Sequence, residues 1–252
     1  MPPKTLTPQR PVHYPESDGL PMAENTVQFN AIVAIKENLE IVFADDPQVF
    51  VAGDLFWYPR EGDNKTVHAP DILVAFGVPK GDRGSYRQWE ERGIAPQVVF
   101  EVLSPSNRLG EMTRKFQFYD EFGVEEYYVY DPDDGLWDGW QRRDGRLQGI
   151  EAMPGWVSPR LGIRFESEFG SGLTLFRPSG ERFLSPLEME QLRREAVADA
   201  DLERRARDQA QQRADQAQQR ADAAERETAR QAQLIEQLTA QLRAAGVDLS
   251  KN

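Results

Sequence analysis

Gln97-Val-Val-Phe-Glu-Val-Leu103 is an apolar run interrupted by a single acid, Glu101. The length of the run and its β-branched residues predict a buried strand. A lone carboxylate in such a strand is costly unless a metal ion or a lysine pairs with it. The alternative is a strand with one face in solvent, but this would also expose Val99 and Leu103. We therefore expect Glu101 to be buried and paired.

Further strands and helices are predicted on both sides of this run. Apolar residues at three-to-four spacing indicate helices over residues 23–43 and 107–122, and apolar clusters indicate strands over 48–58, 71–76, 124–130, 136–140 and 161–165. The connection from Gly77 to Pro96 is long for a compact domain. Strands alternating with helices predict an α/β fold, with a mixed sheet flanked by helices.

The composition divides the chain into four segments. Every Trp, Tyr and Phe lies before Pro186, and Ala, Gln, Arg and Glu dominate from there on. We predict a flexible N-terminal arm over residues 1–21, the α/β domain over 22–185, a helix over 186–246 and a short tail over 247–252. The Pro-rich arm has no apolar period.

The C-terminal segment contains an exact seven-residue repeat. Asp208-Gln-Ala-Gln-Gln-Arg-Ala214 recurs at residues 215–221. A 4-3-4-3 spacing continues over about five heptads, which predicts a self-associating coiled coil and hence a homo-oligomer. The seam comprises Ala210, Ala214, Ala217, Ala221, Ala224, Thr228, Gln231, Ile235, Leu238, Leu242 and Ala245. The alternative is a single solvated helix.

Composition also excludes several classes of site. The chain has no cysteine and two histidines, which excludes zinc–thiolate sites and argues against a histidine-centred nuclease. We expect a cytoplasmic protein with no membrane span. Residues 1–185 hold 29 acidic and 19 basic side chains, a balance that argues against a DNA-coating protein. It argues less against an enzyme whose acids bind a cation.

Two further residues join Glu101 as candidates. Asp71 opens a second apolar strand, and two converging carboxylates can hold Mg²⁺ or Mn²⁺. A strand-start aspartate could instead be a simple cap or turn residue. Lys115 follows on the next helix, four residues after Glu111. It could orient an attacking water and stabilise charge on a phosphate, or form an ordinary exposed ion pair with Glu111.

These pieces together resemble the Uma-two family. The matching segments are Ala69-Pro-Asp-Ile-Leu-Val74, Val98-Val-Phe-Glu-Val-Leu-Ser-Pro-Ser106, Glu111-Met-Thr-Arg-Lys115, Tyr119 and Gly123-Val-Glu-Glu-Tyr-Tyr-Val-Tyr-Asp-Pro132. The family comprises predicted endonucleases of the restriction-endonuclease-like, PD-(D/E)XK superfamily. The resemblance implies that fold, a DNA substrate and a divalent cation, Mg²⁺ or Mn²⁺.

The resemblance also implies roles for individual residues. Asp71 and Glu101 would hold the metal, with the carbonyl of Val102 as a further ligand, and Lys115 would position the water. The superfamily's usual lysine, two residues after the second acid, is replaced by Leu103, so that Lys115 on the helix is the matching residue. Glu111, where the family more often has Asp, would be a supporting acid. Independently of the resemblance, either Glu24 or Glu40 on the predicted first helix could supply another acid to the cluster.

The long connection and the coiled coil leave other functions open. The connection from Gly77 to Pro96 carries basic and aromatic residues that suit contacts with phosphates and stacked bases, namely Lys80, Arg83, Arg87 and Trp89. An ordinary surface lid would explain these residues too. A different class of function is a catalytically silent nuclease-like fold that acts as a binding or assembly module through its coiled coil. A third is an enzyme acting on a small phosphate ester.

Overall fold

The computed structural model describes residues 12–17, 19 and 22–244 of the chain, except for the side chain of Arg243. They fall into two units, an α/β domain that ends at Met189 and a helical unit that begins at Glu190. Of the predicted N-terminal arm, residues 1–11, 18, 20 and 21 lie outside the described residues. Tyr14 packs against Tyr58 and Trp89 of the domain, at ring-centroid distances of 5.1 and 5.0 Å.

A mixed six-stranded sheet forms the centre of the domain, as predicted. Its strands are β1 (Val49–Gly53), β3 (Ile72–Phe76), β5 (Val98–Val102), β6 (Glu126–Asp131), β7 (Leu136–Arg143) and β8 (Arg146–Gly149). They lie in the order β1-β3-β5-β6-β7-β8. The β5–β6 pair is parallel and the other neighbours are antiparallel. A parallel pair needs a crossover connection, and a helix supplies it here.

Two helices cover the two faces of this sheet. Helix α1 (Thr26–Val42) is capped by Asn25, whose side chain accepts from the Gln28 amide at 2.8 Å. It packs on the face that carries Val74 and Phe100. Helix α2 (Leu109–Glu121) is the β5–β6 crossover and packs on the opposite face. Both helices were predicted, and α1 begins three residues later than expected.

Of the four remaining short strands, two lie inside predicted strand segments and two were not predicted. β2 (Trp57–Tyr58) pairs in parallel with β4 (Tyr86–Arg87), which lies inside the connection taken for a loop. β9 (Arg164–Phe165) pairs with β10 (Leu175–Phe176) in a separate ribbon. Two-residue strands are held by tertiary packing. They are hard to predict because so short a run carries no readable period along the sequence.

The C-terminal helix α3 runs over Pro186–Ala244. Ser185 and Glu188 form a capping box at its start: Glu188 accepts from the Ser185 amide at 2.7 Å, and Ser185 accepts from the Glu188 amide at 3.3 Å. The predicted helix is therefore present, while its last predicted residues, 245 and 246, and the predicted tail 247–252 lie outside the described residues. No helix within the described ranges is long and apolar enough to cross a membrane.

Candidate active site

The sheet register brings Asp71 and Glu101 together. β3 and β5 are antiparallel with Ile72 opposite Phe100, so the next residue of each strand places Asp71 opposite Glu101. Both acids share a face with Leu73 and Val99, the face that α2 covers. Glu101 is 2% exposed and Asp71 9% exposed. The alternative of a solvent-facing Glu101 strand is therefore wrong.

Helix α2 supplies the partners of Glu101. Lys115 and Tyr119 lie four residues apart and therefore on one side of the helix. The Lys115 Nζ is 2.8 Å from Glu101 Oε2, and the Tyr119 hydroxyl donates to Glu101 Oε1. Lys115 also reaches Glu111, at 3.8 Å. Because Lys115 forms an ion pair with a buried acid, it is not simply one partner of an exposed ion pair with Glu111.

The cluster brings two carboxyl groups, Asp71 and Glu101, close to one cation, Lys115. Burial raises the pKa of Asp71 well above its usual value, and the charge of Glu101 raises it further. A hydrogen bond from the Val102 amide and the charge of Lys115 act in the opposite direction. Burial alone would lower the pKa of Lys115, but Glu101 and then Asp71 raise it overall. Lys115 is therefore a permanent cation at neutral pH.

The backbone of Val102 links the cluster to α1. Its amide donates to Asp71 Oδ2 at 2.6 Å, and its carbonyl accepts from Gln28 Nε2 at 2.9 Å. Gln28 is buried, and its side-chain oxygen accepts from the Glu24 amide at 3.0 Å. Sequence reasoning missed Gln28, although a signal existed. This polar residue stands on the apolar side of α1 that also carries Ala31, three residues on.

A cavity of about 480 Å³ opens beside Lys115. Its walls include Met22, Ala23, Glu24, Gln28, Asp54, Phe56, Val67, His68, Ala69, Ser104, Asn107 and Glu111. Glu24 accepts a hydrogen bond from Ser106, and hydrogen bonds from Ser106 and Ser104 hold the pKa of Glu24 below its usual value. Of the two acids predicted on the first helix, Glu24 lies at this cavity, but it precedes Asn25, the cap of α1, and is therefore not on the helix. Glu40 lines a different cavity and contacts Lys36 at 3.6 Å.

Asp54 and His68, which sequence reasoning did not single out, line the same cavity. Asp54 has φ +47°, a left-handed conformation that is uncommon for a residue other than glycine. Its amide donates to the Asp71 carbonyl at 3.2 Å. Burial lowers the pKa of His68 to about 4, and Lys115 and Arg114 contribute to the shift. His68 is therefore neutral at neutral pH.

The predicted nucleic-acid contacts have partners within the domain. Lys80 donates to the Phe43 carbonyl at 2.6 Å, close to the end of α1. Arg83 pairs with Glu91 at 2.6 Å, and Arg87 pairs with Glu90 at 3.2 Å. Trp89 packs on Tyr14. The four residues do not line the cavity beside Lys115.

The donors in the cluster fit a hard divalent cation. Asp71 and Glu101 present carboxylate oxygens, and the Val102 carbonyl lies on the same strand. Mg²⁺ is commonly held by one or two carboxylates and keeps several waters, so a small protein donor set suffices. Within residues 12–17, 19 and 22–244 there is no cluster of three or more His, Asp or Glu placed to hold a metal. The burial of two facing acids beside a single lysine is what favours a cation here, because a positive ion would relieve the repulsion between the acids.

Comparison with known proteins gives a family and a structural relative. The Uma2 family, described as "Putative restriction endonuclease", matches residues 18–171. A crystal structure of "a putative nuclease" from Anabaena variabilis is similar at 16% sequence identity, over 54% of this chain and 72% of that chain, with a TM-score of 0.40. No curated protein matches the chain. The family match covers more than half of the chain and confirms the resemblance read from its motifs: the chain belongs to the Uma2 family.

Proposed function

We propose that this protein is a divalent-metal-dependent phosphodiesterase, and specifically a DNA endonuclease. The observation that carries the proposal is the buried Asp71–Glu101 pair joined to Lys115 at 2.8 Å. Two acids and a lysine at one point are suited to hydrolysis of a phosphate ester, and membership of the Uma2 family supports a nuclease. The cation would be Mg²⁺ or Mn²⁺.

Each residue of the cluster has a proposed role. Asp71 and Glu101 hold the cation, and the Val102 carbonyl, which Gln28 orients, offers a further oxygen. When bound there, the cation supplies Lewis-acid polarisation of the phosphate and lowers the pKa of a bound water. Lys115 positions the attacking water and stabilises negative charge that develops on the phosphate.

Residues around the cluster have supporting roles in this proposal. Tyr119 fixes the orientation of the Glu101 carboxylate through its hydrogen bond. Glu24 and Glu111 lie at the wall of the cavity, where they can bind waters of a hydrated cation. Contacts between DNA and Lys80, Arg83, Arg87 or Trp89 stay predictions, as does a cytoplasmic location.

Self-association through α3 completes the proposal. Large apolar side chains of the helix are exposed, including Ile235 and Leu238. This exposure favours pairing of two copies. It also supports the second candidate function, an assembly module with a silent nuclease-like domain. The two candidates differ in whether the cluster binds metal and cuts nucleic acid.

The test is cleavage of supercoiled plasmid and of single-stranded DNA by the purified protein in Mg²⁺, in Mn²⁺ and in EDTA. The variants are Glu101→Gln and Lys115→Met. Matched controls are Glu126→Gln, a buried acid on the face covered by α1, and Lys36→Met, which lies on α1. We expect metal-dependent nicking that is lost in the first two variants and kept in the controls.

Other outcomes would contradict the proposal. Cleavage that persists in EDTA or in Glu101→Gln would show that the cluster is not the site. No cleavage, together with no effect of Mg²⁺ or Mn²⁺ on the melting temperature, would favour the assembly module. Hydrolysis of small phosphodiesters without cleavage of DNA would keep the chemistry and change the substrate.

A further inference from the structure

The apolar seam of α3 is exposed along the helix. We define the seam as residues 210, 214, 217, 221, 224, 228, 231, 235, 238 and 242. Its three large aliphatic residues, Ile235, Leu238 and Leu242, are 64%, 49% and 42% exposed. In a helix of 59 residues, aliphatic side chains on one stripe at 3-4 spacing are typical of a buried helix–helix contact.

The residue types along the seam indicate the number of strands. Spacing assigns Ile235 and Leu242 to the first core position of the heptad, called a, and Leu238 to the second, called d. A β-branched residue at a with Leu at d favours two parallel strands over three or four. Thr228 at a and Gln231 at d make the middle of the seam polar, so a shift of one heptad would set them against Ile235 and Leu238.

The size of the seam residues indicates the orientation. A parallel pair in register puts the large residues of both copies into the same layers. An antiparallel pair that overlaps along the whole seam would set Leu242, Leu238 and Ile235 against Ala210, Ala214 and Ala217. The parallel arrangement therefore concentrates apolar burial at one end of the seam.

Charges beside the seam fit the same arrangement. In a parallel pair, the residue just before an a position faces the residue just after the following d position of the partner helix. This places Arg220 of one copy beside Glu225 of the other, twice by symmetry. The corresponding pair one heptad earlier is Arg213 with Gln218, which contains no like charges.

We propose that α3 binds a second copy of this chain as a parallel, in-register, two-stranded coiled coil along the seam. The inference rests on the proposed self-association and does not depend on the proposed nuclease chemistry. To the proposed self-association it adds the number of chains in the coiled coil, their orientation and their register. The first residues of both helices would then lie at the same end of the coiled coil.

The natural absence of cysteine makes disulfide mapping of the full chain direct. Ala217→Cys and Gln231→Cys both place a thiol at a d position, and Gln233→Cys places one on the opposite side of the helix as a control. Under mild oxidation at low protein concentration, we expect two-chain products from both d variants and none from the control. An antiparallel pair cannot bring residue 217 to its own copy and also residue 231 to its own copy.

Sedimentation equilibrium of the unmodified chain separates the two levels of the proposal. One-chain mass would overturn self-association, and three- or four-chain mass would overturn the two-stranded assignment. Two-chain mass with cross-linking at only one d position, or at neither, would overturn the parallel register. None of these results changes the expectation for DNA cleavage, which is measured separately.

Charge reversal tests the proposed contacts between copies. Arg220→Glu should raise the dissociation constant of the pair at least about tenfold, and adding Glu225→Arg to the same chain should restore it. Leu238→Asp should raise it more than the matched Gln233→Asp. Failure of the double reversal to recover the wild-type constant would contradict the Arg220–Glu225 contact. Circular dichroism of each variant checks that α3 is still helical.

Discussion

Replacement of Asp71 by asparagine is expected to stabilise the metal-free protein while it removes activity. Asp71 is buried opposite Glu101, and its pKa is raised by burial first and by the Glu101 charge second. An acid whose folded pKa lies above its unfolded value favours folding when it is protonated. This contribution is fully present below the unfolded pKa and is lost as pH rises through the folded pKa, so the free energy of unfolding is lower at neutral pH than in acid.

The size of the effect follows from the local interactions. Each unit by which folding raises the pKa of Asp71 is worth about 1.4 kcal/mol, and the hydrogen bond from the Val102 amide and the charge of Lys115 offset part of the shift. The asparagine oxygen can keep the hydrogen bond from the Val102 amide, which is 2.6 Å long. Its amide group can donate to Glu101. We expect a net gain of about 1–3 kcal/mol, or about 3–10 °C in melting temperature for a domain of this size.

Thermal unfolding in EDTA and in Mg²⁺ is the assay. In EDTA at pH 7.5, Asp71→Asn should melt above the wild type, and the difference should shrink toward pH 4, because the pKa of Asp71 is higher in the folded protein than in the unfolded chain. Mg²⁺ at about 100 times its dissociation constant should stabilise the wild type by about 2.7 kcal/mol and the variant much less. A variant that melts below the wild type in EDTA, or an equal Mg²⁺ effect on both proteins, would refute the reasoning.

Glu126→Gln provides the matched contrast among buried acids. Glu126 accepts hydrogen bonds from the hydroxyls of Ser158 and Tyr128 and from the Arg160 amide. A glutamine offers one oxygen in place of two, so at least one donor loses its partner. We expect a loss of about 1–3 kcal/mol in the free energy of unfolding, with the Mg²⁺ effect unchanged. A gain in stability would show that burial alone, without a facing carboxylate, explains the Asp71 result.

Three further substitutions test the surroundings of the cluster. Tyr119→Phe removes the hydroxyl that donates to Glu101, so the Mg²⁺ concentration for half-maximal nicking should rise about 10-fold or more, and an unchanged value would exclude a positioning role. Gln28→Leu leaves the Val102 carbonyl without its donor and should cost about 1–3 kcal/mol in chemical denaturation, whereas no loss would mean that another group replaces the contact. The pKa of His68 is lowered from 6.5 to about 4 in the folded protein. As the pH falls from 6.5 to 4, the free energy of unfolding of the wild type should therefore fall by up to about 3 kcal/mol more than that of His68→Phe. Parallel pH profiles would contradict the shift.

The acids of the cluster were predictable because each breaks a local rule. Glu101 interrupts an apolar strand, and Asp71 opens another, so burial and charge conflict in the sequence itself. Period-two alternation then assigns each acid to a face of its strand. The sequence does not give the register of the strands, which is what places the two acids opposite each other.

Some features were missed although a local signal was present. Asp144-Gly145 joins β7 to β8, with Arg143 paired to Arg146, and both turn residues have positive φ. An Asp-Gly pair between strands is among the strongest hairpin signals, so β8 could have been predicted. β10 had no such signal, since it is two residues long and is held by its pairing with β9.

The conformation and position of Asp54 could not be predicted from local sequence patterns. In the sequence it is one polar residue after Gly53, inside the predicted strand segment 48–58. Its left-handed conformation and its place at the cavity result from the β1–β3 pairing, which brings its amide to the Asp71 carbonyl. Contacts of this kind come from tertiary packing, which no spacing along the chain encodes.

For Lys115, the sequence identified the candidate residue and the structure decided between its two interpretations. Its spacing from Glu111 is the same for an exposed ion pair and for a site residue, so the helix alone could not decide between them. The decision comes from the packing of α2 on the sheet face that carries Glu101, which leaves Lys115 15% exposed. A lysine that loses most of its hydration needs a compensating anion, and the buried acid needs a cation. Each of the two residues therefore makes the burial of the other tolerable, whereas Asp71 has no second lysine among the described residues, and in the proposed function a divalent ion would take that place.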